Sequence, residues 1–171
     1  AKTISCSEKA SASIDDLFRS IQVELNSILH FINPDSMSSG QAVSIVKTLF
    51  SSRMNTSIET VFVVKNNGDS FNNRGTSPNI KDRLYFQKAF SEKNSAWSDL
   101  VQSRDTGNKV IVCLVPKIIS GSAAGAIGAT ISTRTVESTI NSISQDDDTK
   151  FFIMNSEGRI QYHPDENQIN K

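Results

Sequence analysis

Between Ile14 and Ile32 the apolar residues fall three and four positions apart: Ile14, Leu17, Phe18, Ile21, Leu25, Ile28, Leu29 and Ile32. At 3.6 residues per turn that spacing makes one stripe, so residues 1–32 read as one long helix with a single face to bury. The positions before Ile14 are small and polar and extend the helix with little stripe. Asn33-Pro34-Asp35 ends it, because a residue before proline is driven out of helical geometry. A second helix is predicted over 39–53, with Val43, Val46, Leu49 and Phe50 on its apolar face and Ser38 or Ser39 as its cap.

The period then changes. Thr60-Val61-Phe62-Val63-Val64 is β-branched and aromatic, and Asn66-Asn67-Gly68-Asp69 follows as a turn, which is a hairpin signal. Residues 70–80 read as a polar loop, 82–91 as a short helix, 95–102 as an extended segment around Trp97, and 105–108 as a turn. Strands are predicted over 109–119 and 123–132 with Gly121-Ser122 between them, and a helix over 133–144 carries Val136, Ile140 and Ile143. Phe151 to Met154, a turn at 155–158 and Arg159 to His163 repeat the strand–turn–strand unit of 61–71. The sum is an α+β domain, an antiparallel sheet with helices on one side.

At 171 residues the chain is one domain, or one domain with a fragment of a second. Eighteen basic and eighteen acidic residues cancel, so nothing resembles an electrostatic nucleic-acid footprint. No apolar run reaches membrane-spanning length. The chain opens without Met, inside a predicted helix, and reads as an excised or processed piece. Cys6 and Cys113 read as two separate thiols rather than a disulfide, and with only two histidines they make no zinc site.

Few positions carry chemistry. Asp146-Asp147-Asp148 has the oxygen ligands calcium wants but not the spacing of a binding loop, and reads as a solvated boundary. The glycines of 121–128 lack the Gly-Lys-Ser/Thr ending of a phosphate loop and read as a hairpin. Neither His30 nor His163 can be tied to a nucleophile and an orienting group. "IKDRLYFQKAF", residues 80–90, is different: Asp82 and Arg83 stand directly before Tyr85 and Phe86. In one reading Phe86, Ala89 and Phe90 bury a helix face and Arg83 pairs with Asp82 or Glu92 on the surface. In the other, Arg83 and Tyr85 point into a pocket above the sheet, a rigid fork of donors beside a flat wall with a hydroxyl. Such a pair suits a small anionic or zwitterionic ligand.

An ordered set of segments resembles the Cache family of extracytoplasmic sensor domains, in particular the double Cache type. The set runs through the long first helix, "VFVVKNNGDSF", "DRLYFQKAF", "SDLVQSRDTGNKVIVCLVPKI", "GAIGATIS" and "FFIMNSEGRIQYHP". "DRLYFQKAF" is similar to the family's Arg-x-Tyr-Phe-x-x-Ala signature. The resemblance implies a PAS-like antiparallel sheet with a long N-terminal helix (1–32) and flanking helices. It implies a first, membrane-distal sensor module over 33–149 and the beginning or remnant of a second over 150–171. It also implies a receptor in the cell membrane, anchored by flanking helices outside this chain. The domain would face the periplasm or the exterior, with a chemoreceptor, histidine-kinase or cyclic-dinucleotide output inside.

By the same implication the ligand pocket takes Arg83 and Tyr85, with Phe86 beneath, Trp97 and Asp99 near the rim, and Cys113, Val115 or Lys117 from the strands. No cofactor, metal or catalytic residue is implied. Amino-acid-binding members carry a Tyr-x-Asp pair and a strand Asp where this chain aligns Val101, Ser103 and Thr130, and the missing acidic groups argue against an α-amino acid and for a carboxylate held by Arg83. A homodimer through the N-terminal helix, using its other face or residues 1–13, is also expected. The competing reading is a structural or partner-sensing module, with Arg83 salt-bridged and side chains filling the cavity.

Overall fold

The computed structural model describes residues 2–52, 56–75, 78–142, 152–155 and 157–169; the acidic run 146–148 and Ile143 lie outside them, as does the side chain of Cys6. Contacts divide the chain into two compact units, Ser20–Ser132 and Ala1–Arg19 together with Thr133–Lys171.

The first helix, α1, runs from Lys2–Leu29, and its stripe is fully buried at Ile21, Leu25 and Leu29. The chain then makes a 3-10 turn at Pro34–Ser36, with Pro34 at the first turn where its missing N–H costs nothing. Helix α2, Ser39–Ser51, begins with a capping box: the Ser38 hydroxyl accepts from the Gln41 amide while Gln41 Oε1 accepts from the Ser38 amide. Two otherwise orphaned donors are satisfied in this way.

The sheet follows. Strands β1 (Ile58–Val64), β2 (Ser70–Asn72), β3 (Ala96–Trp97), β4 (Val101–Gln102), β5 (Lys109–Ile119) and β6 (Ser122–Ser132) pair antiparallel in the order β2-β1-β6-β5-β3, with β4 also on β5. Residues 70–72 therefore form a strand where a loop is expected from their polarity. The reason is that Asn72 and Ser70 lie opposite Phe62 and Val64 of β1 and point inward, buried with polar partners. Helix α3, Leu84–Glu92, covers one face of this sheet.

Alternation assigns the two faces. Thr60, Phe62 and Val64 of β1, Ala126, Gly128 and Thr130 of β6, and Val110, Val112 and Leu114 of β5 share the α3 face. Val61, Val63, Ile111, Cys113, Val115, Ile127, Ala129 and Ile131 share the other and are all buried. That second face is tied to α1. The Trp97 indole, opposite Cys113, donates to Gln22 Oε1 at 3.3 Å, and Lys117 Nζ donates to the carbonyl of Leu29 at 2.7 Å. A lysine on the last carbonyls of a helix also complements its dipole.

In the other unit, α4 (Thr133–Asn141) buries Val136 and Ile140, and the hairpin expected near the C-terminus forms from β7 (Ile153–Met154) and β8 (Ile160–Tyr162).

Candidate functional site

The α3 face of the sheet holds a cavity, and the hairpin turn after β1 braces the segment that leads into α3. Gly68 adopts φ +90° in that turn, and a Cβ there would lie 2.6–2.8 Å from Lys81 and Asn79. The close approach lets the Gly68 carbonyl accept from the Ile80 amide, while Asn79 Nδ2 donates to the Asn67 carbonyl and to Asp69 Oδ1. The segment entering α3 is thus braced against the hairpin.

Arg83 is the N-cap residue of α3, with extended backbone (φ −75°, ψ 133°) and no side-chain cap. Serine, threonine, aspartate and asparagine suit that place because they accept from the first helical amides; arginine accepts nothing and puts positive charge at the positive end of the dipole. A local rule broken so plainly points to a function outside helix stability. The Arg83 side chain lines the cavity. Its Nη2 donates to the Gln102 carbonyl at 3.1 Å, and its Nε is buried with no hydrogen-bond partner among the described residues.

Asp82 is not its partner. Arg104 grips Asp82 with two parallel hydrogen bonds, Nη1 to Oδ1 at 2.9 Å and Nη2 to Oδ2 at 2.6 Å, and also donates to the Asn79 carbonyl. The pair fastens the turn after β4 to the entrance of α3. The Arg104 guanidinium holds the Asp82 carboxyl below its ordinary value of 3.8. A carboxyl depressed in the folded state contributes stability that is present above the ordinary value and is lost as pH falls through the depressed one. The melting-temperature difference between wild type and D82N, present at neutral pH, is therefore expected to close on acidification below the ordinary Asp range; a difference unchanged in acid would mean that the pair does not hold the turn.

The cavity floor comes from Thr60, Phe62, Val110, Val112 and Thr130, its β2 side from Ser70 and Asn72, and its α3 side from Ile80, Arg83 and Tyr85. Val101 through Asp105 close it. The cavity has a volume of about 50 Å³, room for a few small groups. Tyr85 is buried, and that burial raises its phenol above 10.0 against the opposing pull of Arg83 and Arg104, so the ring presents a neutral hydroxyl. Asp105 stands in the wall with a side chain only 9% exposed, 3.4 Å from Arg74 Nε. Its position is set by Ser103, whose hydroxyl accepts from the amides of Asp105 and Thr106.

Of the residues singled out in the sequence, Arg83 and Tyr85 line this cavity, as do the aligned positions Val101, Ser103 and Thr130. Phe86 lies in the core under α3, stacked on Phe90 with ring centroids 4.1 Å apart. Trp97, Cys113, Val115 and Lys117 do not line the cavity: Trp97, Cys113 and Val115 belong to the α1 face, and Lys117 reaches the end of α1. Asp99 is exposed between β3 and β4. Burial pushes the Cys113 thiol up to about 12, so it is inert. Thr60, Asn72, Arg104 and Asp105 were not singled out as site residues; the readable signal for the first was a threonine at the head of an apolar strand run.

The Cache domain profile matches residues 2–171. The chain belongs to the Cache domain family. Among solved structures it is similar to the ligand-binding domain of the Pseudomonas fluorescens chemoreceptor CtaA in complex with L-serine, at a TM-score of 0.78 and 18% identity, covering 96% of this chain and 71% of that one. The domain of the Pseudomonas aeruginosa amino acid chemoreceptor PctB with L-Arg aligns at 0.77 and 18%, covering 96% and 70%. An extracellular ligand binding receptor from Desulfohalobium retbaense aligns at 0.81 and 14%, where this Cache chain covers 97% of itself and 31% of that protein. No curated protein matches the sequence.

These neighbours overturn the expectation that disfavoured α-amino acids, since domains of this fold hold L-serine and L-Arg. The physical reason lies in the lining: the lack of acidic side chains at Ser103 and Thr130 does not empty it of negative charge, since Asp105, two residues beyond Ser103, is in the cavity wall.

Proposed function

We propose that this Cache domain is the extracytoplasmic sensor region of a transmembrane signalling receptor and that its cavity binds a small amino acid. The observation that carries this reading is Arg83 Nε: a guanidinium nitrogen buried in the cavity lining with no hydrogen-bond partner among the described residues. A buried charged donor left unpaired costs free energy that a ligand carboxylate would recover. Asp105, in the same wall, supplies the opposite charge for an ammonium. Thus one cavity offers a guanidinium and a carboxylate, the complement of a zwitterion. Binding would favour one of two arrangements of the turn latched by Arg104, and the receptor would read that shift.

The small cavity also supports a second reading, a module that senses a partner protein and holds no ligand. Thermal unfolding against L- and D-amino acids, ω-amino acids, plain carboxylates and amines separates the two. A zwitterion at a hundredfold excess over its dissociation constant adds about 2.7 kcal/mol. Stabilisation by at least one amino acid, with neither half-molecule sufficient, is expected. Silence across the set would leave the partner-sensing reading in its place.

A further inference from the structure

The floor of the cavity carries a polar group that neither charged end of an amino acid explains. Thr60 is 4% exposed, its side chain lines the cavity, and its Oγ1 is buried without a hydrogen-bond partner among the described residues. Thr130 stands opposite it on the neighbouring strand, 8% exposed, with its side chain in the same lining. Around them the floor is apolar, with Phe62, Val110 and Val112. We infer that the Thr60–Thr130 pair is a subsite for an uncharged hydrogen-bonding group, a hydroxyl or a carboxamide, on the side chain of the ligand.

This rests on the amino-acid reading above and orients the ligand within it. A charged end set against two neutral hydroxyls and three apolar side chains would lose its hydration without a counter-charge. The ammonium and carboxylate therefore go to Asp105 and Arg83, and the side chain turns to the floor. An apolar side chain there would leave the Thr60 hydroxyl buried and unsatisfied, whereas a hydroxyl or carboxamide would satisfy it. A site built to hydrogen-bond a substrate group rejects the isostere that lacks it far more strongly than an apolar site rejects an added hydroxyl.

The test uses threonine and valine as isosteric ligands, and serine with alanine, by calorimetry on the wild-type chain, T60V and T130V. Threonine is expected to bind at least tenfold tighter than valine, and serine than alanine. T60V should cut that preference to about twofold by weakening the hydroxyl ligands alone. T60V should also melt no lower than wild type without ligand, since the change removes an unsatisfied hydroxyl and keeps the shape. Equal binding of the isosteres by the wild-type chain would overturn the subsite and leave the amino-acid reading standing. A T60V melting point well below wild type would overturn it too, because the hydroxyl would then be satisfied within the protein. If no amino acid binds at all, both readings fall.

Discussion

Replacing Arg83 by serine is expected to abolish amino-acid binding and leave the free domain at least as stable as it was. The two effects come from one position seen by two structures. To the ligand, Arg83 is the fork of donors for a carboxylate, and losing a desolvated charge pair costs about 2–5 kcal/mol, a thirtyfold to several-thousandfold loss in affinity. To helix α3, Arg83 is an N-cap that accepts no hydrogen bond and adds positive charge to the positive end of the dipole.

Serine restores a cap at the expense of one hydrogen bond, the one from Arg83 Nη2 to the Gln102 carbonyl. R83A loses that bond without gaining the cap, so R83S should be more stable than R83A by about 1 kcal/mol. R83K keeps the charge and loses the planar fork, and should bind at an intermediate level. Thermal unfolding of the three variants, with and without ligand, checks both halves. A destabilised R83S would mean that the arginine holds the fold together; full ligand binding by R83S would remove Arg83 from the site.

That trade between local stability and recognition shows which features the sequence could reveal. Helix α2 was legible because its start is written locally, in a serine cap, Ser38, standing just before the apolar stripe. Strand β5 was legible in its bounds but not in its phase. Residues 110–116 are buried throughout, since the sheet is covered on both faces, and an unbroken apolar run carries no mark of which side chains face which way. The expectation that Cys113, Val115 and Lys117 line the pocket took one phase; the cavity takes Val110 and Val112, the other. The phase was written on β1 and β6, where Thr60 heads one apolar run and Thr130 interrupts the other, both on the cavity side. Arg83 and Tyr85 were legible because a charge beside two aromatics breaks the local pattern. The hold of Arg104 on Asp82 was not, because twenty-two residues separate them and only the folded turn after β4 brings them together. Asp105 was hidden in the same way, inside Asp-Thr-Gly-Asn, which reads as a turn whether or not its carboxylate meets a cavity.

The cavity floor also depends on an absence. Gly128 lies in β6 between Phe62 of β1 and Leu114 of β5, and the Phe62 ring rests across it. A Cβ at position 128 would lie 2.3 Å from Phe62 Cζ and 2.8 Å from both Cε atoms. Phe62 is 7% exposed and lies in the core cluster with Val64, Tyr85, Phe86, Val112 and Leu114, so the ring has one roomy direction, into the cavity it lines. G128A should therefore destabilise the domain by roughly 1–3 kcal/mol, the usual range for overpacking, lessened by the 0.5–1 kcal/mol that alanine gains over glycine within a strand. It should also block ligand by filling the cavity with the Phe62 ring. The double variant G128A/F62L relieves the contact, so its loss should be smaller than the sum of the two single losses, with a coupling of at least 0.5 kcal/mol. Chemical unfolding of the four proteins measures that coupling. Additive losses would show that the glycine is required for the strand backbone rather than for the ring, and the cavity floor would then be set elsewhere.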